Sequence, residues 1–557
     1  MIALLFLLGA STALAQSAFC PGATAWTPCD LAFDLTPAED SAGFELHGEF
    51  RSPHHKTYGL RAFREGDHHY ILRFTPTEGG DWEYRLSSSV ARFNGEEGRI
   101  RAAPSGDPGF IHVASLHHFQ AENGKAHLWM GSSIDNFAQM ARAEFDQAVE
   151  DRARGKFTHV RVTIDAHTDL REAADRIRAI NTHGMVADLV LAAIPPGASG
   201  DDAQARRKYI ADLAARFSAM NITWMGAPAF EKLAHGRAVL KATGALLQQY
   251  DGYDHPRSSM AEGSSAALAS DNWISYACYG TVDPNVGAVE HQLYGMPGIN
   301  TAIQSQRDLW NATMNGQYPG SGSGPYMAAW FDFMSGTRYW ELEPYFDVDG
   351  GRALALEGIE YIVYVEKPGP VEVTLVNHGY DVAWINPATG ERIKAKDYKG
   401  EHFTGEPPDK SHDWVLHISR ESKKASMLKS YFWDSRGYED REAAPIQLQA
   451  LDTPPEKVPF EVSAPAEGSN VSIAMPPLFS LKVTRPARAT RSLLVEWTGE
   501  VTADGEGYRI IGTGREGTFH IPEGLAHHLP AALRVRVSVL NANGKAYEID
   551  KVYSLTK

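Results

Sequence analysis

The stretch HLWMGSSIDNFAQMARAEFDQAVEDRARGKFTHVRVTID, residues 127–165, decides how the chain is read. His127–Gly131 is a short apolar run ending in glycine, and Ser132–Ala141 is a polar loop containing one aromatic. From Ala143 onward, Phe145, Ala148, Val149 and Ala153 recur at helical spacing, so one face of a helix is built to be buried. Gly155 falls where a helix C-terminus accepts positive φ. Val160, Val162 and Ile164 then alternate as a strand that ends on Asp165. Strand, loop, helix and strand in this order form the repeating unit of a parallel sheet. Its polar loop and Asp165 belong to the C-terminal edge of the strands, where barrel enzymes hold their chemistry.

Working outward, the alternation continues. A helix is expected at Leu170–His183, and Val186–Ile194 (VADLVLAAI) reads as a strand buried on both faces. A helix follows at Asp201–Met220, capped by Asp201 or Asp202, then a strand at Ile222–Met225 and a helix at Ala234–Tyr250. Further strands are expected at Ser258–Ala261, Trp273–Cys278, Gly298–Ile303 and Tyr326–Phe331. The series fits a (β/α)8 barrel over residues 109–350. A doubly wound sheet is the alternative, but no Gly-rich loop follows any strand, so a nucleotide site is unsupported.

On either side the period changes to two. Residues 30–108 carry short alternating runs separated by Gly, Pro and Asp turns, the pattern of a β-sandwich. Residues 351–440 return to β, and 460–557 (LLVEWTGEV, LRVRVSVLN) suggest a fibronectin- or immunoglobulin-like sandwich after a linker with Pro454, Pro455 and Pro459. The expected fold class is therefore multi-domain α/β plus β, a central (β/α)8 barrel flanked by β-sandwiches.

A length of 557 residues exceeds one core, and 43% hydrophobic with 22% charged residues is ordinary for a globular chain. The formal net charge of −16 argues against nucleic acid or an anionic membrane as the main partner. It suits a neutral substrate. Residues 1–15, MIALLFLLGASTALA, read as a signal peptide ending in an A-x-A site, which places the mature chain outside the cell or in the periplasm. In that compartment Cys20 and Cys29 are expected to pair, leaving Cys278 as a buried thiol. No Cys/His spacing suggests a metal, and the pairs His54–His55, His68–His69, His117–His118 and His527–His528 read as surface or strand histidines. No cofactor is expected.

The phrases YGLRAFREGDHHYILRFTPTEGGDWEYRLSSS and FNGEEGRI resemble the small β-sandwich that precedes apiosidase-like glycoside-hydrolase barrels. LWMGSSIDNF followed by EFDQAVEDRARGKFTHVRV is similar to the start of such a barrel, with Asp151, Arg152, Gly155, Phe157 and Val160 keeping the pattern. Ser132 and Ser133 stand where Asp-Thr is usual. YDVAWINPATGER (Tyr380–Arg392) resembles the C-terminal sandwich named in these proteins for collagen binding. The resemblance covers most of residues 30–435. It implies hydrolysis of O-glycosidic bonds in a polysaccharide, with a carbohydrate polymer or oligosaccharide as partner.

Such chemistry needs two carboxyl groups facing each other across the scissile bond. In the family, one carboxylate follows strand four and the other follows strand seven. In this chain the first segment reads NITWMGAPAFEK, where Trp224 and Gly226 match but Ala or Pro holds the acidic position. The second reads MPGINTAIQS, with Ala302 in place of the Glu. The catalytic candidates are therefore relocated: Glu231 as acid/base, with Glu262 or Asp332 opposite. Asp135, Asp165 and His167 are candidates for sugar hydroxyls, and Tyr276, Tyr279 and Trp330 for a stacking platform. The alternative reading is a degenerate barrel that binds glycans or acts as a scaffold. A serine hydrolase built on Ser132 with His127 or His291 lacks the G-x-S-x-G elbow.

Overall fold

The structure is a computed structural model. It describes residues 19–41, 43–197, 199–226, 228, 230–233, 235–262, 268, 271–280, 286–420, 460–473, 478–483, 494–503, 506–513, 516–518, 529–540 and 546–557. The expected signal peptide, the stretch 421–440 and the Pro454–Pro459 linker lie outside the described residues. The chain divides into two compact units, one of residues 1–110, 208–221 and 246–254, the other of the remainder.

In the first unit, alternation of apolar and polar residues builds two antiparallel sheets. One orders the strands Cys29–Asp34, His69–Phe74 and Phe63–Gly66, the other Thr57–Arg61, Leu46–Arg51, Gly80–Ser88 and Glu97–Ala102. The strand Gly80–Ser88 places Trp82, Tyr84 and Leu86 on one buried face, as a period of two requires. Phe50 and Phe74 stack across the core at 4.1 Å. Cys20 and Cys29 are joined by a disulfide with Cα atoms 5.7 Å apart. Arg73 is 4% exposed and satisfied by two partners: Asp30 accepts from its Nε and Nη2, and the carbonyl of Arg216 from its Nη1.

The second unit holds the parallel strands. One sheet orders Gly131–Ser133, His159–Ile164, Val186–Leu191, Ile222–Met225 and Arg257–Ser258. The other orders Met260–Glu262, Ala277–Gly280, Gly298–Asn300 and Gln317–Pro319. All neighbours within these two sheets are parallel. Helices lie between the strands, among them Arg142–Arg154, Leu170–Thr182, Val286–Leu293, Gln306–Met314 and Pro325–Ser335. Asp169 caps Leu170–Thr182 by accepting from two backbone N–H groups, and Ser305 caps Gln306–Met314.

Three sequence expectations change here. Gly155 has φ −75°, and Lys156 takes the left-handed conformation instead, at φ +64°. Glycine at 155 answers crowding: a Cβ there would meet the Phe157 ring at 3.0 Å and the Asp151 carbonyl at 3.3 Å. Tyr326–Phe331, expected as the last strand, lies inside the helix Pro325–Ser335, and the strand before it is Gln317–Pro319. Pro325 begins this helix, where its fixed φ suits the first turn and its missing N–H costs nothing. The strand expected at Trp273–Cys278 forms at Ala277–Gly280.

The antiparallel strands Arg352–Leu356, Glu360–Val365, Trp414–Ser419 and Val371–Ile385 follow in that spatial order. Glu360–Val365 is buried throughout and serves two cores. Tyr361, Val363 and Val365 face Trp384, Leu416 and Ile418. Ile362 and Tyr364 join Trp310, Trp330 and Met334 of the preceding helices. Beyond residue 460, strands Asn470–Ser472, Ala546–Thr556, Ala531–Leu540, Leu494–Ala503 and Glu506–Thr513 form a further sheet.

Candidate functional site

The C-terminal ends of the parallel strands gather most of the polar candidates. Asp165 follows directly on strand His159–Ile164 and closes a tight turn. Its Oδ1 accepts from the His167 N–H at 2.9 Å and from the Thr168 hydroxyl at 2.9 Å. The Thr168 hydroxyl, then the His167 N–H, hold the Asp165 carboxyl below its ordinary range. Asp135 is exposed in the loop after Gly131–Ser133, and His167 is exposed beside Asp165. Glu231 lies in the single-turn 3-10 helix Phe230–Lys232 that follows strand Ile222–Met225, and is 8% exposed. Phe230, fully buried with Leu240, Ala261 and Trp273, anchors that turn. Glu262 is the last residue of the strand Met260–Glu262, in register with Gly280. The turn bearing Glu231 packs beside the strand bearing Glu262.

Other candidates lie elsewhere. Asp332, expected opposite Glu231, stands apart from it. It belongs to the helix Pro325–Ser335, is 61% exposed, and pairs with Lys156. Lys156 precedes strand His159–Ile164, so this pair marks the N-terminal ends of the strands, opposite Glu231 and Glu262. The three proposed stacking rings have no open face. Tyr276, Tyr279 and Trp330 are each at most 1% exposed. Their polar atoms are spent internally: Tyr276 donates to Thr223 Oγ1, Gln317 donates to the Tyr279 hydroxyl, and Trp330 donates to Thr313 Oγ1. Burial pushes both tyrosine hydroxyls well above the ordinary phenol range. Ala302 follows the strand Gly298–Asn300 and donates its N–H to Asn300 Oδ1, so that strand end carries no acid at this position.

Two residues at the site were not singled out by the sequence. Arg161 points across from strand His159–Ile164, donating to the Gly320 carbonyl and lying 3.7 Å from Met260 Sδ. Tyr326 is half-buried in the first turn of the helix after Gln317–Pro319, at the same strand ends. The signal was present for Arg161: a charged residue between Val160 and Val162 must face away from the covering helices.

At the N-terminal ends a different network is closed. His159, fully buried, is paired through Nδ1 with Asp188 Oδ1 at 2.8 Å, and the Thr223 hydroxyl donates to the same oxygen at 2.8 Å. The other ring nitrogen of His159 meets His127 Nε2 at 2.9 Å, and the Trp129 ring stacks on the imidazole at 3.4 Å. Burial, then the neighbouring His159, holds His127 well below its ordinary value, so it stays neutral. No helix among the described residues is long and apolar enough to cross a membrane.

Comparison with known proteins bears on the fold. Residues 22–89 match the family described as Domain of unknown function (DUF5060). No curated protein matches the chain. A solved structure described as a "putative glycoside hydrolase" from Bacteroides vulgatus ATCC 8482 aligns with a TM-score of 0.60 at 16% identity, covering 72% of this chain and 99% of that one. A glycoside hydrolase family 5 protein from the same organism aligns at 0.48 and 16% identity, over 57% of this chain and 95% of that one. The structure described here has a glycoside-hydrolase-like fold, mixed α/β and rich in strands.

Proposed function

We propose that this chain is a secreted glycoside hydrolase-like protein that cleaves O-glycosidic bonds of a polysaccharide, with Glu231 as acid/base and Glu262 opposite it. The observation that carries the reading is the adjacency of the two segments, the Phe230–Lys232 turn and the strand Met260–Glu262, at the C-terminal ends of consecutive parallel strands. In this reading the parallel strands close into one (β/α)8 barrel. Arg257–Ser258 and Met260–Glu262 are separated by a single residue and count as strand five. Gly131 approaches Gly320 so closely that a Cβ would meet its carbonyl at 2.6 Å, which supports contact between first and last strands. The residues at 109–350 then form the catalytic barrel of apiosidase-like type. Residues 30–108 form a non-catalytic sandwich, and 351–440 and 460–557 are accessory β modules.

The chemistry follows from the acids. Glu231, in a turn largely closed to water, donates a proton to the leaving oxygen. Glu262 assists attack at the anomeric carbon, with Asp135, Asp165 and His167 available to sugar hydroxyls. A gap of about 5–5.5 Å between the carboxyl groups gives retention, and about 6.5–9.5 Å gives inversion. Sugar release from a panel of polysaccharides tests the assignment. Glu231→Gln and Glu262→Gln should each lower kcat/KM by roughly 10²- to 10⁴-fold. The second reading, a glycan-binding protein on a degenerate site, is favoured by Ala302 at the end of strand seven. It prevails if wild type binds a glycan yet releases no sugar.

A further inference from the structure

Away from the strand ends that carry Glu231 and Glu262, three side chains of metal-ligand type bring one donor atom each within 4.8 Å of the others. His117 lies in the turn between strands Ile111–Ala114 and His118–Ala121, His291 on the helix Val286–Leu293, and Glu343 opens the strand Glu343–Tyr345. Both histidines are 6% exposed, while the Glu343 side chain is 48% exposed. The imidazole rings lie 3.6 Å apart.

Proton bookkeeping makes this arrangement informative. His117 Nε2 is 3.1 Å from the Tyr294 carbonyl, which can only accept, so Nε2 carries the hydrogen. In neutral His117 the Nδ1 lone pair then faces Glu343 Oε2 at 3.4 Å, and His291 Nε2 closes on the same oxygen. A lone pair against a carboxylate needs a cation between them, either an added proton or a metal ion.

A second observation points into the same place. His118 is 4% exposed, and its Nε2 makes no hydrogen bond while lying 4.0 Å from Glu343 Oε1. Its Nδ1 is engaged by the Tyr318 hydroxyl at 2.6 Å. When its Nδ1–H donates to the Tyr318 hydroxyl, the outer nitrogen presents a lone pair toward Glu343.

We propose that His117, His291 and Glu343 bind one zinc-class divalent cation, with His118 Nε2 or a water filling the fourth position. Two imidazoles and a carboxylate suit Zn²⁺ or Co²⁺ rather than the all-oxygen shells of Ca²⁺ and Mg²⁺. The Tyr294 carbonyl on His117 and the Tyr318 hydroxyl on His118 are the outer partners that orient such ligands. His291 sits near the end of its helix, just before strand Gly298–Asn300 begins, so the ion lies at the N-terminal ends of the strands. Its role there is to clamp three chain segments, not to act on substrate.

Calorimetric titration of the EDTA-treated full chain with ZnCl2 and CaCl2 tests this, with Tm read in parallel. One equivalent of Zn²⁺ should bind and raise Tm, Ca²⁺ should do neither, and Co²⁺ should give a tetrahedral absorption band. His117→Ala and His291→Ala should abolish the Zn²⁺ equivalent, and His54→Ala should leave it intact. Glu343→Gln keeps a hydrogen-bonding side chain if the alanine variants fail to fold, and should weaken Zn²⁺ by at least roughly 10- to 100-fold. The proposal is overturned if no stoichiometric Zn²⁺ is taken up, or if uptake survives unchanged in His291→Ala or Glu343→Gln. A His–Glu pair that only exchanges protons gives the first of those results.

Discussion

At the N-terminal ends of the parallel strands, His159 is fully buried, engages a partner at each ring nitrogen and lies under the face of Trp129. At the C-terminal ends, Asp165 is held by a local turn, and Asp135 and His167 stand exposed. His159 is closed off by partners from other strands, whereas Asp135 and His167 are accessible. Buried polar groups whose partners come from other strands fix the strands to one another, because losing any partner leaves a desolvated orphan. Groups held by their own turn can meet a ligand without disturbing the strands. Fixed and accessible polar groups are thereby separated along the strand axis.

The largest effect that would sharpen this contrast is expected from Asp188→Ala. It strips His159 and Thr223 of their shared acceptor, and denaturant unfolding should show a loss of about 3–5 kcal/mol. A loss under 1 kcal/mol would break the comparison. Gly131→Ala drives a methyl into the Gly320 carbonyl and should cost about 1–3 kcal/mol by the same measurement.

Acid provides a third probe. His118 titrates near 3 in the folded chain, against an ordinary value of 6.5. Between those pH values the unfolded chain takes up a proton that the folded chain refuses. Its contribution is therefore whole above pH 6.5 and declines as pH falls toward 3, by about 1.4 kcal/mol per unit. His118→Gln should flatten the acid limb of a stability–pH curve; an unchanged slope would contradict the burial argument. The smallest effect is expected from Asp332→Asn, whose exposed pair with Lys156 is worth at most about 1 kcal/mol. Sugar release by this variant should match wild type, and a large loss would return Asp332 to the catalytic candidates.

What could be read in the sequence followed from how local each signal was. The helix Arg142–Arg154 and the strand His159–Ile164 stand close to their expected places, because the periods of Phe145, Val149, Val160 and Val162 are set by near neighbours. Aromatic content misled the reading of Tyr326–Phe331, where Trp330 and Phe331 favour strands. The better guide was Pro325, a helix-start residue just after Gly324 at φ +108°. Whether an aromatic ring is a platform or core depends on neighbours far along the chain, so Tyr276 and Trp330 could not be assigned from composition. The same distance hid the meeting of His117 with His291 and Glu343. The sequence presents His117–His118 as an ordinary surface or strand pair, and no spacing rule joins it to a helix and a strand so much later.

Cys278 gives the parallel strands a built-in clock. Its thiol is buried on the strand Ala277–Gly280, and desolvation pushes it to about 12. With Cys20 and Cys29 bonded to each other, a chain with 3 Cys offers a single site to an alkylating reagent. Because only the thiolate reacts, labelling near neutral pH waits until the strands part. The labelling rate therefore times the opening of this one region, unmixed with fluctuations elsewhere in the chain.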